Sequence, residues 1–190
     1  MANKSDTQPG GSSTPELTPP DAYIGHSVGA DYKVANWEAI QSYFTYVGEN
    51  SDRVHTRQIG TTTEGRPYIV AEISSPEAIG DRNRHLEDRK VVADPRLIEN
   101  EAEERRLIEE GKVVVYFGCA IHGNEVGATQ MSMELLYELA AGTSPEVREI
   151  LERVILVMIP SNDPDGLDHV TDWYQRTLGK PWEGSGMPWL

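Results

Sequence analysis

Lys112–Ile121, KVVVYFGCAI, is a continuous apolar run of strand length, the pattern of a β-strand covered on both faces. Glu125–Gly142, EVGATQMSMELLYELAAG, then takes up helical periodicity, with Val126, Met133, Leu136, Leu139 and Ala140 as inward positions. Ser144 and Pro145 cap a short helix, PEVREILER, and VILVMIP, from Val154 to Pro160, reads as a second buried strand. Strand, helix and strand in that order make a βαβ crossover, so the chain predicts an α/β fold with a parallel or mixed sheet.

Upstream, RVHTRQIG and PYIVAEIS are two β runs joined by the Gly-containing segment TTTEGR, which predicts a hairpin. Before them, NWEAIQSYFTYVG places Trp37, Ile40, Tyr43, Phe44 and Val47 on one helical face, with Asn36 as N-cap and Gly48 as the stop. Asp94-Pro95 has the form of a helix start, and the charged segment that follows, RLIENEAEERRLIEEG, suits a solvated helix face. The Pro-, Gly-, Ser- and Thr-rich residues 1–20 predict a flexible leader, with one domain over residues 21–190.

Acidic residues outnumber Lys and Arg by 31 to 17, for a formal charge of −14. That balance suits a soluble chain and argues against a nucleic-acid or anionic-membrane surface. No apolar run approaches the roughly 20 residues of a membrane span. The N-terminus has no apolar core of a secretory signal, and Cys119, the single cysteine, leaves the redox compartment open.

His122 and Glu125 follow the first apolar strand, where open α/β sheets gather ligands. Their spacing puts both side chains on one side of a first helical turn, both are good zinc ligands, and Gly123 and Gly127 leave room for close backbone approach. His85-x-x-Asp88 and His169-x-x-Asp172 share the spacing without the context, so the pair is open between a metal site and a hydrogen-bonded polar turn. Asp163-Pro164-Asp165-Gly166, after the second strand, reads as a turn. If the two strands are neighbours, both loops share one rim.

Taken together, these segments resemble the zinc metallocarboxypeptidases of the carboxypeptidase A type. IGTTTEGRPYIVAEIS is similar to the family's Glu-Gly-Arg-Pro hairpin and IHGNE to its His-x-x-Glu metal motif. IPSNDPDG is similar to its Pro-x-x-Asn-Pro-Asp-Gly turn, with Asp163 where Asn is usual. The resemblance runs from about residue 52 to 180 and implies a largely parallel mixed sheet between helices, in three α/β/α layers. It implies Zn2+ held by His122 and Glu125, a substrate-contacting Arg66, and Arg176 as the arginine that polarises the scissile carbonyl; read as a surface residue, Arg176 is a solvated side chain. The implied reaction is hydrolysis of C-terminal peptide bonds in peptides or proteins.

The family's third zinc ligand, general-base glutamate and carboxylate-binding segment would lie beyond Leu190. The chain therefore reads as the N-terminal part of a longer enzyme, truncated at its C-terminus and not a competent peptidase by itself. The family is often secreted or periplasmic, but the sequence assigns no location. Two other readings stay open: a zinc amidohydrolase of the aspartoacylase or succinylglutamate desuccinylase type, and a metal-free binding domain on the same fold.

Overall fold

In the computed structural model, which describes residues 17–187, four strands form one sheet. They are β1 (Val54–Thr61), β2 (Pro67–Ile73), β3 (Val113–Gly118) and β4 (Val154–Ile159), in the spatial order β1–β2–β4–β3. β1 and β2 are the expected hairpin and β2 pairs antiparallel with β4, while β3 and β4 are parallel. The sheet is mixed, but parallel pairing is confined to β3–β4 among the described residues, short of the largely parallel arrangement expected. The reason is connectivity: a tight turn forces antiparallel neighbours, and only β3 and β4 are joined by a helical crossover. That crossover holds α6 (Val126–Ala141) and α7 (Pro145–Arg153), with Ser144 capping α7.

The core lies between one sheet face and two helices, α2 (Trp37–Asn50) and α6. α2 begins where Asn36 Oδ1 accepts the Ala39 N–H at 3.0 Å, and it buries Trp37, Ile40, Tyr43, Phe44 and Val47, the expected face. Each such side chain contributes about 1.5–3 kcal/mol. The Trp37 indole N–H stays satisfied, donating to the Pro67 carbonyl at 3.0 Å. Gly48 does not stop the helix, which runs on to Asn50. A Cβ at Gly48 would stand 2.7 Å from Thr56 Oγ1, so its hydrogen lets α2 lie against β1. On α6, Met133, Leu136, Leu139 and Ala140 are buried as expected and Val126 partly so. Thr129, Gln130 and Ser132 are buried too; Gln130 Oε1 accepts the Ala35 N–H at 3.2 Å and the Ser132 hydroxyl donates to the Thr129 carbonyl at 2.6 Å. The C-terminal end of α6 is closed by Arg53, whose Nη1 donates to the Leu139, Ala140 and Gly142 carbonyls.

The opposite face carries α3 (Pro76–Gly80), α4 (Arg82–Ala93) and α5 (Glu101–Glu110). There the buried Glu72 of β2 accepts from Arg57 at 3.2 Å and from Arg82, at the start of α4, at 3.3 Å. Asp94-Pro95 opens only a 3-10 turn, Pro95–Leu97; α5 starts at Glu101, with Asn100 Oδ1 accepting the Glu103 N–H at 3.0 Å. Helix on both faces gives the expected three layers. The expectation for β3 fails, however: Val113 is 61% exposed and Tyr116 59%. β3 is an edge strand, so neither its outer edge nor its full width is covered by the described residues.

A short α1 (Pro20–Ile24) precedes α2. Of the expected leader, residues 1–16 lie outside the described residues, while Leu17 is buried and the Thr18 N–H donates to the Tyr46 hydroxyl at 3.0 Å. No helix among the described residues is long and apolar enough to cross a membrane.

Candidate active site

The carboxyl ends of β3 and β4 are joined by one asparagine. Asn162 donates its backbone N–H to the carbonyls of Cys119 and Ala120 at 3.1 and 3.0 Å, and its Nδ2 to Cys119 at 3.0 Å. Its Oδ1 accepts from the Tyr68 and Tyr116 hydroxyls, each at 3.3 Å. The clamp holds the kink at Ala120, whose φ is +45°, a left-handed value that side chains rarely adopt. Beside it, burial pushes the Cys119 thiol up to about 11. The two loops do share one rim.

On that rim His122–Glu125 is a β-turn, closed by the Glu125 N–H donating to the His122 carbonyl at 3.0 Å. α6 starts only at Val126, so the pair meets across a loop rather than on a helical turn. The Glu125 carboxylate accepts the His122 N–H at Oε2 and faces His122 Nδ1 at Oε1, both at 3.0 Å. These bonds from His122 hold the Glu125 carboxyl below the usual carboxylate range. A cation that takes Nδ1 must break this contact with the Glu125 carboxylate. An imidazole nitrogen and a carboxylate oxygen are both donor types that would hold zinc. The turn is hydrogen-bonded, and its donor set fits a zinc ion. No third His, Cys, Asp or Glu joins the pair among the described residues.

Asp163-Pro164-Asp165-Gly166 is not a free turn but the start of α8 (Pro164–Thr177), with Asp163 as N-cap and Pro164 at the first helical position. The sequence carried the same Asp-Pro signal as Asp94-Pro95, and only here does a long helix follow. Three aspartates at this end of α8 bind three different segments. Asp163 accepts the Gly166 N–H at 2.9 Å with Oδ1 and the Gly123 N–H at 3.1 Å with Oδ2. Asp165 accepts from Thr62 Oγ1 at 2.7 Å, the Glu64 N–H at 3.1 Å and Arg66 Nη1 at 2.6 Å. Asp168 accepts from Arg66 Nε at 2.6 Å and the Trp37 N–H at 2.8 Å. Burial raises the Asp165 pKa, but these three donors outweigh it and leave the carboxyl below its ordinary value. Sequence reasoning missed Asp168; Asp165 it placed in the turn without a partner.

Arg66 is held by three carboxylates, since Nη1 also donates to Glu64 at 2.6 Å. Its Nη2 has no bond among the described residues. Glu64 in turn accepts from His169 Nε2 at 2.7 Å, so His169 serves the hairpin and not the His122 pair. Arg176 lies in the last turn of α8 with Nε donating to the Asp172 carbonyl at 3.2 Å, exposed and outside the cavity lining. His85 and Asp88 go separate ways: His85 is buried, and Asp88 forms a fork pair with Arg106 at 2.8 and 3.1 Å.

A cavity of about 890 Å3 opens beside His122 and Glu125. Asp163 and Gly166 line it, and Val170, Trp173 and Met187 give it an apolar side. The Trp173 indole N–H donates to the Ser185 carbonyl at 3.2 Å, which ties the 184–187 wall to α8.

A model of the zinc carboxypeptidase family, Peptidase_M14, matches residues 40–181. None of the curated proteins compared with the chain matches it. Among solved structures, thrombin activatable fibrinolysis inhibitor is similar with a TM-score of 0.54 at 14% identity, over 80% of this chain and 32% of that one. A metallo-carboxypeptidase from Burkholderia cenocepacia gives 0.49 at 18% identity, over 70% and 28%. Carboxypeptidase A from Helicoverpa armigera gives 0.49 at 15% identity, over 85% and 32%. The chain thus spans about a third of the length of these structures, and the first of them carries the likeness of fold.

Proposed function

Since the chain belongs to the zinc carboxypeptidase family, we propose that it is the N-terminal part of a catalytic domain that removes C-terminal residues from peptides or proteins, with zinc held by His122 and Glu125. The observation that carries this reading is the 3.0 Å approach of His122 Nδ1 and Glu125 Oε1 on the rim of the parallel strand pair. A zinc ion there supplies a Lewis acid for the scissile carbonyl and lowers the pKa of a bound water to about 7.

The chain's own residues hold and orient part of the site. Glu125 fixes the His122 backbone and ring together, so both donor atoms are aligned before any ligand arrives. The three carboxylates around Arg66 set the plane of its guanidinium and leave Nη2 for a substrate group, although Arg66, like Arg176, is outside the lining of the cavity beside His122. Val170 and Trp173 keep one wall of the cleft apolar, which strengthens polar contacts made beside it. The role of Arg176 in stabilising the oxyanion rests on the sequence interval alone, and its side chain must leave the Asp172 carbonyl to take it up. The third ligand and general base belong to the rest of the proposed domain.

Metal analysis of the intact protein tests the reading, together with release of C-terminal residues from peptides. We expect one zinc, lost in His122→Ala, and peptide hydrolysis lower by at least about 100-fold in that variant. Zinc retained in the variant would remove the assignment. Preference for N-acyl amino acids over peptides would move the protein to the amidohydrolases.

A further inference from the structure

Resting on the zinc reading of His122 and Glu125, we propose that Asp163 is a positioning residue for that pair, acting through the backbone of Gly123. Asp163 stands where the resembling motif has Asn, and the structure shows two jobs that need two acceptors. Oδ1 takes the Gly166 N–H at 2.9 Å and so caps α8; Oδ2 takes the Gly123 N–H at 3.1 Å and so anchors the turn between His122 and Glu125. An asparagine offers one acceptor oxygen and turns an NH2 group toward the other N–H, donor against donor. Asn caps a helix as well as Asp does, so the cap is the job it can keep and the anchor the one it loses.

The anchor is tight. A Cβ on Gly123 would lie 2.2 Å from the Gly166 carbonyl carbon, so the turn rests directly on the first turn of α8. Asp163 also lines the cavity beside the pair, where its charge favours a cation without ligating it. Partners bonded directly to a metal ligand shift metal affinity by about 10- to 100-fold, and Asp163, acting one residue away through Gly123, should fall at the lower end of that range.

The test compares Asp163→Asn with Ser144→Ala, which removes the cap of α7 at the far end of β4 and leaves Gly123 alone. Zinc affinity is read by competition with a chromophoric chelator on the intact protein. Exchange of the Gly123 amide is read in the metal-free protein by NMR, so that it does not depend on zinc. Asp163→Asn should weaken zinc about 10-fold or more and speed Gly123 exchange, while Ser144→Ala does neither. The inference is overturned if Asp163→Asn binds zinc like the wild type, or if Ser144→Ala loses as much affinity, which would make the effect one of general stability. Should Asp163→Asn not fold, Asp163→Ser, a cap with a single short acceptor, takes its place with the same two readouts. A wild type that binds no zinc sinks the metal reading itself, and the role of Asp163 with it, whatever Gly123 does.

Discussion

At the scale of single residues, the two glycines of HGNEVG separate. Both invite the expectation of a close backbone approach, but only Gly123 makes one. An alanine there puts its Cβ 2.2 Å from the Gly166 carbonyl carbon, a backbone atom that cannot swing aside. Gly127 is the second residue of α6, and a Cβ there meets nothing within 4 Å. Gly123→Ala should therefore cost about 1–3 kcal/mol, the usual range for forced overpacking. Gly127→Ala should be neutral or stabilising by up to about 1 kcal/mol, because glycine inside a helix carries an entropic cost. Urea denaturation of the two metal-free variants reads both signs. A Gly123→Ala protein as stable as the wild type would mean that the two loops do not touch. The sequence could not tell these glycines apart, because the difference lies in an atom of a segment some forty residues away. That His122 and Glu125 meet was legible for the opposite reason: the bonds that pair them are local, though they close a β-turn and not the helical turn expected.

At the scale of elements, α2, α6, α7 and the hairpin were legible from local signals: periodicity in α2 and α6, the Asn36 and Ser144 caps of α2 and α7, and the Gly-containing turn of the hairpin. α4 was not, since it is mostly charged and buries only His85. Charged pairs hold it: Arg82 to Glu72 of β2, Arg84 to Glu110 of α5, and a fork across to α5 in which Arg106 donates Nη2 to Asp88 Oδ1 at 2.8 Å and Nη1 to Oδ2 at 3.1 Å. Such a fork is stronger than a single contact, and no sequence pattern announces it. Hydrogen bonding from Arg106, with further help from its charge and that of Arg84, holds the Asp88 carboxyl below its ordinary range. A depressed carboxylate adds stability that is present above the unfolded pKa, about 3.9, and lost as pH falls through the folded value. Asp88→Asn should then be less stable than wild type at pH 7, with the gap closing once the medium is more acid than the folded Asp88 pKa. Urea midpoints at pH 7, 4 and 3 measure this. A gap that stays constant across the series would assign the loss to packing.

At the scale of the whole molecule, charge and exposed apolar surface pull in opposite directions. A formal charge of −14 keeps copies of the chain apart. β3 does the reverse: it lies at the sheet edge and exposes Val113, Val114, Val115, Tyr116 and Phe117. The apolar run that marked this strand in the sequence is real, but hydrophobicity alone says only that a surface should be covered, not that the described residues cover it. A flat apolar edge with free backbone donors and acceptors is a template for a further strand. The 190-residue chain should accordingly self-associate, more so at high salt, where the repulsion of its negative charge is screened. Val115→Lys places a charge in the middle of that edge, as natural edge strands do, and its aliphatic stem can still lie along the sheet. Sedimentation velocity over a range of protein and salt concentrations should show association in the wild type and a shift to monomer in the variant, with thermal midpoints within a few degrees of each other. Equal association in both would place the contact elsewhere, and a wild type monomeric at all concentrations would mean that net charge outweighs the edge.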